Sequence, residues 1–76
     1  MITGVTRMPP DIRYSKHARE QMVERGISEK EVEDGISRGS KRIQEPGKIL
    51  SDFRYFTVVY KKVGETYFVI TVKPRW

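Results

Sequence analysis

Cysteine is absent from this chain, which excludes disulfides and thiolate metal sites. Small secreted domains usually depend on such staples, so a reducing compartment, the cytoplasm, is the expected location. Histidine occurs once, at His17. A metal site would therefore need carboxylates for its other ligands, and neither a His-x-x-x-His pair nor a calcium-loop spacing is present. No metal and no cofactor is expected. Phosphate loops, dinucleotide fingerprints and a Gly-x-Ser-x-Gly elbow are missing as well. No apolar run is long enough to cross a bilayer, and residues 1–10 lack the charged start and apolar stretch of a signal peptide, so no membrane role is expected. Asparagine is wholly absent beside abundant Lys, Arg and Glu, a usage that resembles a thermophile's.

What is present is basic and small. The 76 residues suffice for one domain, and a fold of that size buries only about 60% of its unfolded surface. The formal net charge of +5 fits phosphate-rich or acidic partners, and it equally serves solubility.

Residues 1–13 read as an arm, because Met8-Pro9-Pro10-Asp11 blocks helix. Ile12 and Tyr14 suit a short strand entry or a contact with the helix that follows. Residues 14–76 read as a single α+β domain. Ser15 is placed to cap a helix running to Arg25, and Gly26 to end it. On that helix Ala18, Met22 and Arg25 share one side, with His17, Gln21 and Glu24 on the adjacent stripe. Ser28 and Glu31 have the spacing of a capping box, with Ile27 and Val32 flanking it as a hydrophobic staple. A second helix is thus predicted from Glu29 to near Gly39, burying Val32 and Ile36.

Beyond Gly39 the period changes to that of strands. A short strand is predicted over Lys41–Glu45 and longer ones over Phe53–Val63 and Thr66–Lys73, the last two joined at Gly64-Glu65. Phe56, Val58 and Tyr60, and likewise Phe68, Ile70 and Val72, are the more apolar sets expected to face the helices. The predicted architecture is ααβββ, two helices on a three- to four-stranded antiparallel sheet.

Three features have the residue types for chemistry. His17 is the natural acid–base group, since imidazole titrates near neutrality. Its place in the first helical turn also suits an anion site, and the alternative is a histidine that positions the helix through backbone bonds. Arg25, on the apolar side of its helix, either packs its stem while the guanidinium reaches solvent or is aimed at an anion, whether an internal acid such as Glu33 or a substrate phosphate. On the outward sheet face, Tyr55, Thr57 and Lys61 would stand beside Tyr67, Thr71 and Lys73, with Arg54 and Arg75 at the margins. Aromatic rings interleaved with cations suit single-stranded nucleic acid, although Tyr, Thr and Lys are also ordinary strand residues. Val59 and Val69, if outward, would favour a homodimer through the sheet.

The segments Tyr14-Ser15-Lys16-His17-Ala18-Arg19 with Met22, then Glu24-Arg25-Gly26-Ile27-Ser28 with Glu31-Val32, resemble a family of small uncharacterised prokaryotic domains. That family's pattern is Ser-x-His-Ala-x-x-Arg-Met, then Glu-Arg-Gly-Ile-Ser, then a β-rich end. It is grouped with the barnase–EndoU–colicin–RelE ribonuclease fold, which includes RelE/ParE-like toxins of toxin–antitoxin pairs. The likeness spans residues 14 to about 73. Gln21 stands where the family often has Arg, and the strands hold no second histidine. The resemblance implies a metal-independent endoribonuclease acting by 2′-hydroxyl attack, with RNA and an antitoxin protein as partners. It carries over His17 and Arg25 as motif residues and Arg19 beside them; Tyr55 is the further proton mover such enzymes tolerate. Arg19, Arg54, Lys61, Tyr67, Lys73 and Arg75 would hold the nucleic acid. The rival reading is a binding module for RNA or an acidic protein, without catalysis.

Overall fold

The computed structural model describes residues 11–44 and 46–75. The elements run β1 (Asp11–Tyr14), α1 (Lys16–Arg25), α2 (Glu29–Arg38), β2 (Ser40–Gln44), β3 (Lys48–Phe53), β4 (Phe56–Val63) and β5 (Thr66–Pro74).

Local chemistry sets both helices. The Ser15 hydroxyl accepts the Ala18 amide at 2.9 Å, satisfying one of the free N–H groups of the first turn. At the other end Gly26 takes a left-handed φ of 68°, and the amides of Gly26 and Ile27 close the last turn on Val23 and Met22. Ser28 and Glu31 form the reciprocal capping box, at 3.1 and 2.9 Å. The chain leaves α2 through Gly39, whose missing side chain lets β3 approach. A Cβ there would meet the Ser51 hydroxyl, the Gly35 carbonyl and, at 2.8 Å, the Asp52 carbonyl.

The five strands form one mixed sheet in the order β1-β5-β4-β3-β2. β1 runs parallel to β5, and the other pairs are antiparallel. Both helices lie on one face. Ala18 and Met22 of α1, with Val32 and Ile36 of α2, pack on Phe56, Val58, Tyr60, Val69 and Val72. Inside this layer the Ser51 hydroxyl donates to the Gly35 carbonyl and ties β3 to α2.

Four sequence expectations are corrected here. The sheet has five strands and is mixed, where a three- to four-stranded antiparallel one was expected. Of the added strands, β1 falls where Ile12 and Tyr14 suit a strand entry, and β3 occupies Lys48–Phe53, where no strand is predicted before Phe53. β1 joins only because the fold brings together residues far apart in the chain, and the Ser15 hydroxyl donating to the Ile70 carbonyl locks that junction. Three residues read as arm, Asp11 to Arg13, therefore belong to the sheet, while residues 1–10 lie outside the described residues.

The strand expected over Phe53–Val63 is broken at Arg54-Tyr55, which turns β3 into β4. No glycine or asparagine marks that turn. Arg54 itself takes φ 55°, at a cost of about 1–2 kcal/mol.

The phase of β5 also differs. Val59 pairs with Thr71 and Tyr60 with Val69, so Ile70 is an extra residue, a β-bulge. The bulge rotates the first half of the strand, so Tyr67 and Val69 face the helices and Phe68 faces away. Finally, the apolar support for a homodimer is lost. Val69 is fully buried among the helices, and Val59, on the other face, is only 6% exposed.

Candidate functional site

The predicted site residues separate into three places. His17 is the second residue of α1 and is exposed. It borders an open hollow whose described lining, including Glu20, Gln21 and Val23, comes from α1 itself. Arg25 closes the same helix, about 12 Å further along at 1.5 Å per residue. The two motif residues therefore do not meet.

Arg25 instead borders the same cleft as Tyr55. The end of α1 and the β3–β4 turn border a cleft of about 270 Å³, lined by Glu24, Arg25, Ile27, Tyr55, Phe56 and Pro74. Ile27 and Phe56 form its apolar floor. Arg25 does not reach an acid of α2. Its Nε donates to the Gln21 side-chain oxygen Oε1 at 3.0 Å, and among the described residues its terminal nitrogens have no partner and can address an anion. The residue that departs from the motif thus orients the arginine. The ionic link between the helices is made by Arg19, which bonds Glu29 at 2.9 Å and stacks over the Tyr14 ring at 4.8 Å. Arg19 thereby has a structural occupation.

Tyr55 is held by its neighbours. Its ring packs edge-on against Phe56 at 5.4 Å, and its carbonyl accepts the Arg75 amide. The Arg75 guanidinium in turn donates to the Arg54 carbonyl at 2.9 Å. The turn, with its left-handed Arg54, is therefore anchored to the exit of β5. Residues held in such sparsely populated backbone regions cluster at functional sites, and Arg54 lies next to the exposed Tyr55.

The remaining predicted residues flank the sheet. Lys61 and Lys73 are exposed on the helix-free face, paired across strands with Phe68 and Thr57. Tyr67 is on the opposite face, its ring against Tyr60 at 5.4 Å, and so does not join them. Four further residues take part: Glu24 and Thr57, marked in the sequence only by their places on a helix stripe and a sheet face, and Arg42 and Asp52, which no sequence signal marks. Glu24 lines the cleft. Arg42 forms a two-pronged pair with Asp52, at 3.0 Å on both prongs. The Thr57 hydroxyl adds a bond to the same carboxylate at 2.6 Å. The bonds from Arg42 and Thr57 and the nearby positive charges of Arg42 and Arg75 hold the Asp52 carboxyl below its usual range, against a smaller effect of burial. Arg42 and Asp52 are ten residues apart, and only the β2–β3 pairing brings them together.

A model of a domain of unknown function, DUF4258, matches residues 14–73, most of the chain. The chain belongs to the DUF4258 family. The match begins at Tyr14, the last residue of β1, and ends at Lys73 on the helix-free face. Among solved structures, a chain of the toxin–antitoxin complex RelBE2 from Mycobacterium tuberculosis superposes on this DUF4258 domain with a TM-score of 0.59. The superposition covers 90% of this chain and 100% of that one at 16% identity, which establishes a shared fold. A comparison with curated protein sequences yields no match.

Charge is unevenly divided within the domain. Residues 16–38, the helical half, hold five Lys and Arg against six Asp and Glu; residues 40–75 hold eight against three. The strand half thus carries the whole excess of positive charge. Among the described residues, no cluster of three or more His, Asp or Glu is placed to hold a metal ion, and no helix is long and apolar enough to cross a membrane.

Proposed function

We propose that this domain is a toxin-type endoribonuclease that binds RNA along its cationic sheet and cuts it at the Arg25–Tyr55 cleft. The observation that carries the reading is the convergence of Arg25, Tyr55 and Glu24 on one small cleft, beside a strained turn and next to Arg54 and Arg75. A phosphodiester in the cleft would lie against the Arg25 guanidinium, whose charge offsets that of the phosphorane. Glu24 takes the proton of the 2′-hydroxyl as its oxygen bonds to phosphorus. Tyr55 gives its proton to the 5′-oxygen as the bond from phosphorus to that oxygen breaks. The products are a 2′,3′-cyclic phosphate and a 5′-hydroxyl, and solvent returns the proton from Glu24 to Tyr55. His17, on its own stretch of α1, has no part in this scheme. A protein partner of the antitoxin kind belongs to the same reading, since the fold is shared with a chain of a toxin–antitoxin complex.

The test is cleavage of end-labelled RNA by the purified chain in the presence of a chelator. Arg25→Ala, Tyr55→Phe and Glu24→Gln should each slow cleavage by roughly a hundredfold or more. His17→Ala should leave the rate alone. All four side chains are exposed, so circular dichroism should show unchanged folding. RNA that is retained by the protein yet stays full length would establish the non-catalytic binding module instead.

A further inference from the structure

The bulge in β5 turns Phe68 out of the core and onto the helix-free face, where it is 39% exposed. A lone exposed apolar side chain is ordinary, and Val23, Ile43 and Val63 are more exposed still, so exposure alone does not single out Phe68. Its flanks are specific. Register places Arg13 of β1 directly beside it on one side and Lys61 of β4 on the other. Residues opposite each other on adjacent strands share a face, so a ring sits between two cations in a row across the sheet. Arg13 is partly engaged, its Nε bonding the Asp11 carboxylate at 3.0 Å, and both groups are exposed. From this row the outward positions of β5 lead through Thr71 to Lys73, a distance of roughly 15 Å at the rise of a strand.

We propose that Phe68 is a base-stacking platform for single-stranded nucleic acid, with Arg13 and Lys61 holding the phosphates on either side of the stacked base. An aromatic face accepts any base, and the flanking cations select a polyanion over an apolar peptide. The same cations oppose pairing with a second copy through this face, because that would set like charges against each other. The platform is separated from the cleft, so bound RNA has two fixed points, Phe68 at one end and Arg25 with Tyr55 at the other. The proposal rests on the RNA-handling reading above.

The experiment uses a 2′-deoxy oligonucleotide of about eight bases, within the range of single-strand site sizes. Lacking the attacking hydroxyl, it can be bound but not cut. Affinity is measured by fluorescence anisotropy with the full chain and with Phe68→Ala, Phe68→Leu and Phe68→Trp. Loss of the ring should weaken binding about tenfold in both the Ala and the Leu variants. Phe68→Trp should retain the affinity, and its added emission should be quenched on binding. Equal affinity for all four proteins would overturn the platform while leaving cleavage at the Arg25–Tyr55 cleft untouched. A wild-type chain that binds neither the deoxy strand nor RNA, and cuts no RNA, would overturn both readings. A change in self-association on Phe68→Ala without a change in nucleic-acid affinity would mark the ring as a protein contact and overturn the platform alone.

Discussion

Replacing Tyr14 with phenylalanine should stabilise this domain, and more so in alkali. Tyr14 ends β1, and its ring packs against the core under the guanidinium of Arg19. Its hydroxyl is buried and has no hydrogen-bond partner among the described residues. A buried polar group left unsatisfied costs about 1–3 kcal/mol. Phenylalanine keeps the ring, the packing and the cation over it, and removes only the orphaned group. A gain of about 1 kcal/mol at neutral pH follows, which raises Tm by about 4–8 °C for a domain of this size.

Alkali adds a second component. Burial, reinforced by the negative charges of Glu29 and Glu33 and eased by Arg19, pushes the Tyr14 phenol up to about 12 from its ordinary 10.0. The unfolded chain therefore gives up this proton first, and the wild-type protein loses stability as pH rises from the unfolded value towards the folded one. A two-unit displacement corresponds to at most about 2.7 kcal/mol. Solvent screening at a partly exposed ring reduces that to about 1 kcal/mol. The advantage of Tyr14→Phe should thus grow from about 1 kcal/mol at neutral pH to about 2 near pH 11–12. Tyr60, whose phenol is also raised by burial and by Tyr67, is present in both proteins and cancels. Urea unfolding followed by circular dichroism at the two pH values measures both parts. A variant less stable than wild type at neutral pH would show that the hydroxyl does have a partner. A difference that stays constant with pH would refute the ionisation part.

Two further perturbations test the sheet. Gly39→Ala places a methyl group against the Gly35 and Asp52 carbonyls, which are backbone and cannot swing aside. It should cost about 3 kcal/mol or more, read as a fall in the urea midpoint, and a loss below about 0.5 kcal/mol would refute the close approach. Asp52→Asn should destabilise at neutral pH by weakening the bonds from Arg42 and Thr57. Because the folded carboxyl sits below its unfolded value, its contribution is complete above the unfolded value and disappears as pH falls through the folded one. The difference between wild type and Asp52→Asn should therefore close in acid unfolding curves, and a difference independent of pH would show that the carboxylate is not the responsible group.

Much of the helical half could be read locally. Ser15 and Ser28 as caps, Gly26 as a stop, and the burial of Met22, Val32 and Ile36 all follow from neighbours within four residues. The charge of the strand half is likewise a property of composition. Arg25 and Tyr55 were picked out by type, but their place on one cleft was not visible, since thirty positions separate them. His17 was picked out by type too, and the geometry of α1 carries it away from the cleft. Gln21, noted as a departure from the motif, has its use only once the Arg25 side chain is in place.

By itself the sequence determined the α+β class, both helices and their caps, the Gly64-Glu65 hairpin and the basic character of residues 40–75. These depend on interactions between residues close in the chain, or on no interaction at all. Tertiary structure alone decided that β1 pairs parallel to β5, that Arg54 turns the chain at a positive φ, and that a bulge at Ile70 exchanges Phe68 for Tyr67 on the helix-free face. Each of these answers to long-range packing. A strand's period of two gives the same pattern in either phase, and the partners that choose the phase lie elsewhere in the chain.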